Sequence, residues 1–529
     1  MRGPADQRSS TDSLLGRAWW LHPLLFAAFP VLFLFADNIG QHVSLQPLAA
    51  PLGLAVGGAA MLVLLTTISE RVLTGSAARG ALLGTAAVAL FFSYGYAWSA
   101  VGEILRVHRY LLITWGLLLL IGAVIAWRLR PNLVGRTTAI LNVMGLILVV
   151  INVVPIVDFG LRQANRAPIP SSPAVSGALD GPGRDVWYLI FDRYAGQEAL
   201  ERIYAFDNSA FIDDLRGRGF YVAEQSTANY LKTAHSLSSS LNLDYLDMER
   251  LQAAAAAPDD WTPLYETLQG SHAVERVLAE QGYRYVHLGL RRGATYTNSE
   301  AEQVLLFSEQ SEFSAVLADT TLLLSLENVL GREAPGTLTM YRNQTLFQFD
   351  RLEELGQTAG PKFVFAHFML PHPPYIFNAD GSAVTPEQAA ATSGQERYVN
   401  QVRFANDRIL DVLDILLDGP AEEWPIIVVQ SDEGPFPTRY ERDELAFEWL
   451  EATDEELLQK FSILNAILLP GVDPAEAGLY PTITPVNNFR LIFNAAFGAD
   501  LPLLPDRNLV FPSQGSIYEQ VDITDRVQH

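Results

Sequence analysis

The sequence predicts a multi-span α-helical membrane domain followed by an α/β domain with a mainly parallel sheet. Three observations predict it. Nearly all the long apolar runs lie within residues 1–158. Beyond them, short apolar strands alternate with amphipathic helical stretches, the pattern of a sheet with helices on both faces. Two of those strands end in carboxylates: Val186–Phe191 runs into Asp192, and Ile426–Val429 leads to Ser431-Asp432-Glu433-Gly434. Open α/β sheets place their sites at the carboxyl ends of strands.

At 529 residues the chain is long enough for more than one domain. Residues 1–158 carry 10 Lys+Arg against 6 Asp+Glu, and the remainder 26 against 53, so the two parts are about +4 and −27. So acidic a domain is a poor polyanion binder, and no nucleic-acid partner is expected. Cysteine is absent, which excludes disulfides, thiolate metal sites and a cysteine nucleophile.

Five apolar stretches, roughly 18–36, 48–68, 80–100, 110–127 and 137–157, approach the ~20 residues that a bilayer core requires. Arg2, Arg8 and Arg17 in the tail share a side with Arg71, Arg79, Arg128, Arg130 and Arg136. The opposite loops hold only Arg106 and Arg109. This bias predicts a cytoplasmic tail (1–17), a membrane domain of about five transmembrane helices (18–158) and an extracytoplasmic C-terminal part. The spans lack central ionisable groups, which speaks against an ion path and for an anchor or a holder of a lipid-linked substrate. Trp19, Trp20, Trp98 and Trp115 suit interfacial positions.

Residues 159–183 form the expected linker, rich in Pro, Ser, Gly and Ala from 165 onward. The α/β domain then runs from 184 to 529. Strands are expected at 185–191, 283–288, 362–368, 425–431 and 463–469, and helices at 208–218, 272–281 and 396–418.

Four places carry chemistry. Asp192 ends the first strand. Thr233 and Ser236 sit in the hydroxyl-rich stretch NYLKTAHSLSSS, His367 and His372 in HFMLPHPPY, and Asp432 and Glu433 end a later strand. Hard cations take carboxylate oxygens and lower the pKa of a coordinated hydroxyl, so Asp192, Asp432 and Glu433 predict one ion beside a Thr or Ser nucleophile. A nearby histidine can protonate a leaving oxygen or stabilise charge on the transferred group.

The order of these pieces resembles the alkaline phosphatase/sulfatase superfamily. More closely it resembles its membrane-anchored sulfatase-like hydrolases and transferases, with the layout of lipoteichoic acid synthases and phosphoethanolamine transferases. The stretches that carry the resemblance are DVWYLIFDRYAG (185–196), 211–246, FVFAHFMLPHPPYIFNADG (363–381), YVNQVRFANDRILDVLD (398–414), IIVVQSDEG (426–434), NAILLPG (465–471) and 479–498. It implies an alkaline-phosphatase-like α/β/α sandwich in the cell envelope. It also implies metal ligation by Asp192, Thr233, Asp432 and Glu433, and nucleophilic attack by Thr233, with Ser236 as the alternate. His372 falls at the position near the transferred group, with His367 also on the substrate side. The implied partners are the lipid bilayer and a phospholipid or envelope glycan substrate.

Two positions depart from the family pattern. Glu433 stands where the family has histidine, which favours a hard ion: Mn²⁺ or Mg²⁺ first, with Ca²⁺ or Zn²⁺ as alternatives. The extra negative charge would also repel a phosphate or sulfate, so a second expectation is a fold retained for binding or assembly without catalysis. Arg193 stands where many relatives have a small residue and can bind an anionic substrate or pair with the extra carboxylate. No formylglycine motif (Cys/Ser-x-Pro-x-Arg) surrounds residues 226–240, so phosphoryl transfer is expected over sulfate-ester hydrolysis.

Overall fold

In a computed structural model, the chain is described over residues 17–39, 45–74, 76–101, 108–165, 179, 181, 183–291, 293–307, 312–325 and 337–528. It forms two compact units: residues 1–166 with 310–340, and residues 167–309 with 341–529.

Among the described residues, the first unit contains five apolar helices: α1 (Leu21–Asp37), α2 (Gln46–Thr74), α3 (Ala77–Ala100), α4 (His108–Arg128) and α5 (Pro131–Asn165). Four of them, α2 to α5, are long and apolar enough to cross a membrane. Helix α1 is apolar but only 17 residues long. Helix α5 continues to Asn165, past the expected start of the linker at 159, with Pro155 and Gly160 inside it. Most of the expected linker lies outside the described residues. Trp115 sends its indole N–H to the Leu90 carbonyl at 2.7 Å, so a neighbouring helix satisfies its polar edge.

A segment that linear reading assigned to the α/β domain belongs to this helical unit. The helix Glu312–Asp319 and the turn Leu322–Ser325 pack on it, with Phe313 and Leu317 in one cluster with Val31, Phe35, Val88 and Phe92. The Gly95 N–H donates to the Thr320 carbonyl at 3.0 Å. A Cβ on Gly95 would stand 2.0 Å from the Asp319 carbonyl oxygen, so only glycine admits this approach.

The second unit is built on a seven-stranded sheet. Its strands are β1 (Val186–Phe191), β2 (Tyr221–Val222), β3 (Arg284–Leu288), β4 (Gln303–Val304), β5 (Lys362–Phe368), β6 (Ile426–Gln430) and β7 (Asn465–Leu468). Their order is β2-β7-β6-β1-β5-β3-β4. Strands β6, β1, β5, β3 and β4 are mutually parallel. Strand β7 runs antiparallel to β6 and β2, so the expected 463–469 strand is shorter and reversed. The central strands are buried on both faces, which is why they read as unbroken apolar runs.

One face of the sheet packs Tyr188, Ile190, Phe363, Phe365 and Val428 against α6 (Thr233–Asn242), α7 (Ala273–Glu280) and a later helix, Pro485–Phe497. The other face meets α8 (Thr337–Gly356) and α9 (Gly394–Leu416) through ring contacts of Phe191 and Phe368 with Phe349, and of Phe349 with Phe404. The result is the expected α/β/α sandwich. Helix α9 starts where the Ser393 side chain accepts the Glu396 N–H, and α10 (Asp454–Phe461) starts with a full capping box from Thr453 and Glu456.

Candidate active site

Strand register brings the candidate residues together. Ile190 is aligned with His367 on one side and Gln430 on the other. Side chains alternate along a strand, so His367 shares the face of Ile190. Asp192 and Asp432, each two residues past that rung, point the same way. This is also the face on which α6 packs. Asp192, His367 and Asp432 each offer a ligand atom, all within 4.8 Å of one another and all buried. Among the described residues this is the one such group.

The polar atoms fit a cation. Asp192 Oδ1, both carboxylate oxygens of Asp432 and His367 Nε2 are buried without hydrogen-bond partners. His367 Nε2 lies 3.7 Å from Asp192 Oδ2, too far for a hydrogen bond between them. Burial, and then the nearby Asp432 and Glu433 charges, hold the Asp192 carboxyl well above the usual range. Burial also raises Asp432, opposed by the Thr233 hydroxyl and Lys460. It pushes His367 down to about 3, so its imidazole is neutral and has a lone pair to offer. Buried carboxylates without partners cost stability unless a cation compensates them.

Thr233 is the first residue of α6, preceded by Lys232 in extended conformation. Its hydroxyl lies near enough to the Asp432 carboxylate to favour the charged form, without meeting the geometry of a hydrogen bond. At a helix N-terminus, unpaired backbone N–H groups and the macrodipole favour negative charge. Ser236 does not join it: one turn along, its buried hydroxyl donates to the Tyr230 carbonyl at 3.3 Å. His372 is brought close through its backbone, whose N–H donates to the Asp192 carbonyl at 3.1 Å. Its Nδ1–H donates to the Pro373 carbonyl, and its side chain lies outside the Asp192/His367/Asp432 group.

Glu433 lies three residues past the end of β6 and is not among the three groups whose ligand atoms converge. Its Oε1 is 3.1 Å from Lys460 Nζ and 3.3 Å from Arg193 Nε. Oε2 remains buried without a partner. His367, expected on the substrate side, therefore supplies the third converging donor in place of Glu433. Of the alternatives expected for Arg193, the pairing with the extra carboxylate is the one seen, and Lys460 joins it. The Lys460 ammonium also donates to the Gly434 carbonyl at 2.8 Å, and the Gly434 N–H returns a bond to the Lys460 carbonyl at 2.9 Å.

Arg193 adopts a left-handed backbone with φ of 61°. This conformation is rare outside glycine, and neighbouring bonds hold it here. The Tyr398 hydroxyl donates to the Arg193 carbonyl at 2.9 Å, and the Tyr194 N–H donates to Ser431 Oγ at 2.9 Å. Arg193 thus reaches Glu433 and stacks on Phe436. Lys232 and Lys460 approach the same ring, so three cations surround one phenylalanine at 4.3, 4.3 and 3.4 Å from its centroid.

Sequence reasoning missed Lys460, Lys232 and Phe436. Lys460 did leave a signal, since it occupies the apolar stripe of α10 with Leu457 and Phe461. Lys232 adjoins the hydroxyl but reads as an ordinary surface lysine.

The fold and site define an α/β/α protein, joined to an apolar helical unit, with a buried Asp-His-Asp group beside a helix-terminal threonine. Its fold is similar to the C-terminal periplasmic domain of EptC from Escherichia coli in complex with Zn (10% identity, TM-score 0.42, covering 66% of this chain and 96% of that one). It is similar to the integral membrane lipooligosaccharide phosphoethanolamine transferase A (EptA) from Neisseria meningitidis (12%, 0.37, 88% and 94%). It is also similar to the phosphonate monoester hydrolase of Agrobacterium radiobacter (13%, 0.38, 62% and 80%). No family model and no curated protein matches the chain. At these identities and scores, the likenesses assign no substrate and no residue role here.

Proposed function

We propose that the protein is a membrane-anchored, metal-dependent phosphotransferase or phosphodiesterase acting on a phospholipid or lipid-linked envelope glycan. The observation that carries this reading is the convergence of Asp192, His367 and Asp432, with orphaned buried ligand atoms, beside the helix-terminal Thr233. Asp192, His367 and Asp432 would hold one divalent ion, with Thr233 beside it. A nitrogen donor among the carboxylates moves the preference from Mg²⁺ and Ca²⁺ toward Mn²⁺ and Zn²⁺.

A bound ion would lower the pKa of the Thr233 hydroxyl and offset charge on the substrate. Thr233 Oγ attacks the phosphorus of a diester, an Oγ–P bond forms, and the bond to the leaving oxygen breaks. Asp432, facing the hydroxyl, receives its proton. Arg193 and Lys232, both against Phe436, draw in the anionic group, and His372 protonates the leaving oxygen. A second hydroxyl, from a sugar or water, then attacks the phosphothreonine and restores Thr233. Glu433, which favours a binding-only reading, is neutralised by Lys460 and Arg193, and that weakens the alternative.

The helical unit supports a lipid-linked substrate. It holds an apolar cavity of about 570 Å³ lined by Ala27, Gly58, Leu90, Trp115 and Leu322 among others, a size typical of small-molecule sites. The arginine bias supports an α/β unit outside the cytoplasm.

The test uses the full-length protein in detergent with head-group-labelled phospholipid and Mn²⁺, Zn²⁺, Mg²⁺ or Ca²⁺ in turn. Metal-dependent release and a phosphoryl adduct on Thr233, both lost in Thr233→Ala, are expected. Metal binding without release or adduct under any of the four ions would overturn catalysis and leave the binding role.

A further inference from the structure

A turn with no role in the scheme above reaches the back of the candidate metal centre. His367 Nδ1 lies 2.8 Å from Thr295 Oγ1. Thr295 is itself held in place, since its carbonyl accepts from His287 Nε2 at 2.9 Å. A carbonyl can only accept, so His287 carries its proton on Nε2 and takes the Tyr285 hydroxyl on Nδ1, at 3.0 Å. Tyr285, His287, Thr295 and His367 are all buried. Gln348 joins the two strand ends: its side-chain N–H donates to the His367 carbonyl at 2.8 Å and reaches the Leu288 and Gly289 carbonyls at 3.3 Å.

Gly289 makes this approach possible. A Cβ there would stand 1.5 Å from the Thr295 carbonyl oxygen and 2.6 Å from His287 Nε2. No L side chain fits unless the Gly293–Thr295 turn moves away and takes the hydroxyl with it.

We infer that Thr295, seated by Gly289 and His287, is the positioning residue for His367. Its hydroxyl can donate or accept; when it accepts the Nδ1 proton across the 2.8 Å contact, the Nε2 lone pair is left facing Asp192 and Asp432. The inference rests on reading that trio as a metal centre. The physical need is specific. Facing two carboxylates, an imidazole prefers to present an N–H, which cannot ligate a cation. The opposite nitrogen must therefore carry the proton, and its partner sets that choice.

The test is metal affinity of the full-length, metal-stripped protein in detergent, titrated with Mn²⁺ and with Zn²⁺ against a competing fluorescent chelator. Thr295→Val keeps shape and loses the hydroxyl, and is expected to weaken binding roughly 10–100-fold. Thr295→Ser keeps the hydroxyl and should bind close to wild type. Gly289→Ala removes no donor atom and should weaken binding in the same direction, so it decides the matter if Thr295→Val does not fold. The metal-induced rise in thermal midpoint should shrink in Thr295→Val and Gly289→Ala and persist in Thr295→Ser. Wild-type affinity in Thr295→Val, or in a folded Gly289→Ala, would overturn the positioning role while leaving the metal centre intact. If the wild type binds neither ion, the metal reading fails first, and this inference fails with it.

Discussion

Glu433 and Lys460 show how one side chain changes the meaning of another. In sequence, Glu433 is an extra carboxylate beside a metal and a reason to doubt the chemistry. In the fold it is half of a buried pair with a side chain that helix α10 carries on its apolar stripe. Burial pushes the Lys460 ammonium down to about 7, with Glu433 opposing the shift. Removing one partner of such a pair leaves an uncompensated buried charge. Lys460→Met should therefore cost stability toward the low end of about 3–5 kcal/mol, because Arg193 still faces Glu433. The double variant Lys460→Met/Glu433→Gln should recover most of that loss. Urea unfolding of both variants checks this, and equal losses in the two would show that the ion pair is not the cause.

Helix α7 offers an element-scale test. His272 caps it, with Nδ1 accepting the Glu275 N–H at 3.1 Å. Burial pushes this imidazole from 6.5 down to about 3. Between those values the unfolded chain binds a proton that the folded cap refuses. Stability is then full above about pH 6.5 and falls as pH drops toward 3. His272→Asn keeps a cap acceptor and does not titrate. Its unfolding midpoint should fall less than wild type's between pH 7 and pH 4.5, and an unchanged pH slope would refute the assignment. The Glu312–Asp319 segment gives a second test at this scale. Gly95→Ala puts a methyl 2.0 Å from the Asp319 carbonyl oxygen. Overpacking of this kind costs about 1–3 kcal/mol, and should lower the thermal midpoint of the detergent-solubilised protein.

At the scale of the whole molecule, the testable property is which side of the membrane each end of the chain occupies. If α1 crosses the bilayer with the four longer helices, the tail and the α/β unit lie on opposite sides. If it does not, they share one. The absence of cysteine makes the measurement clean. Single cysteines at Leu445, an exposed position of the α/β unit, and at Ser10 in the tail can be probed with a membrane-impermeant maleimide on intact cells. Labelling at 445 and protection at 10 are the expected result. Labelling at both would mean that α1 does not cross.

Much of this protein was legible in its sequence because the signals are local. A strand buried on both faces must be apolar throughout, so β1, β5 and β6 announced themselves, and Asp192 and Asp432 stood out as polar residues at their ends. Helices long enough to span a bilayer showed in the same way. What the sequence could not decide depends on register between distant strands. Aligning Ile190 with His367 and Gln430 brings an imidazole to the strand ends that carry Asp192 and Asp432. The same is true of the Lys460 ion pair, the reversal of β7 and the packing of residues 312–325 on the helical unit. Composition and periodicity report which face of an element is buried. Only the tertiary structure chooses what lies against that face, because the choice rests on close approaches between residues far apart in the chain.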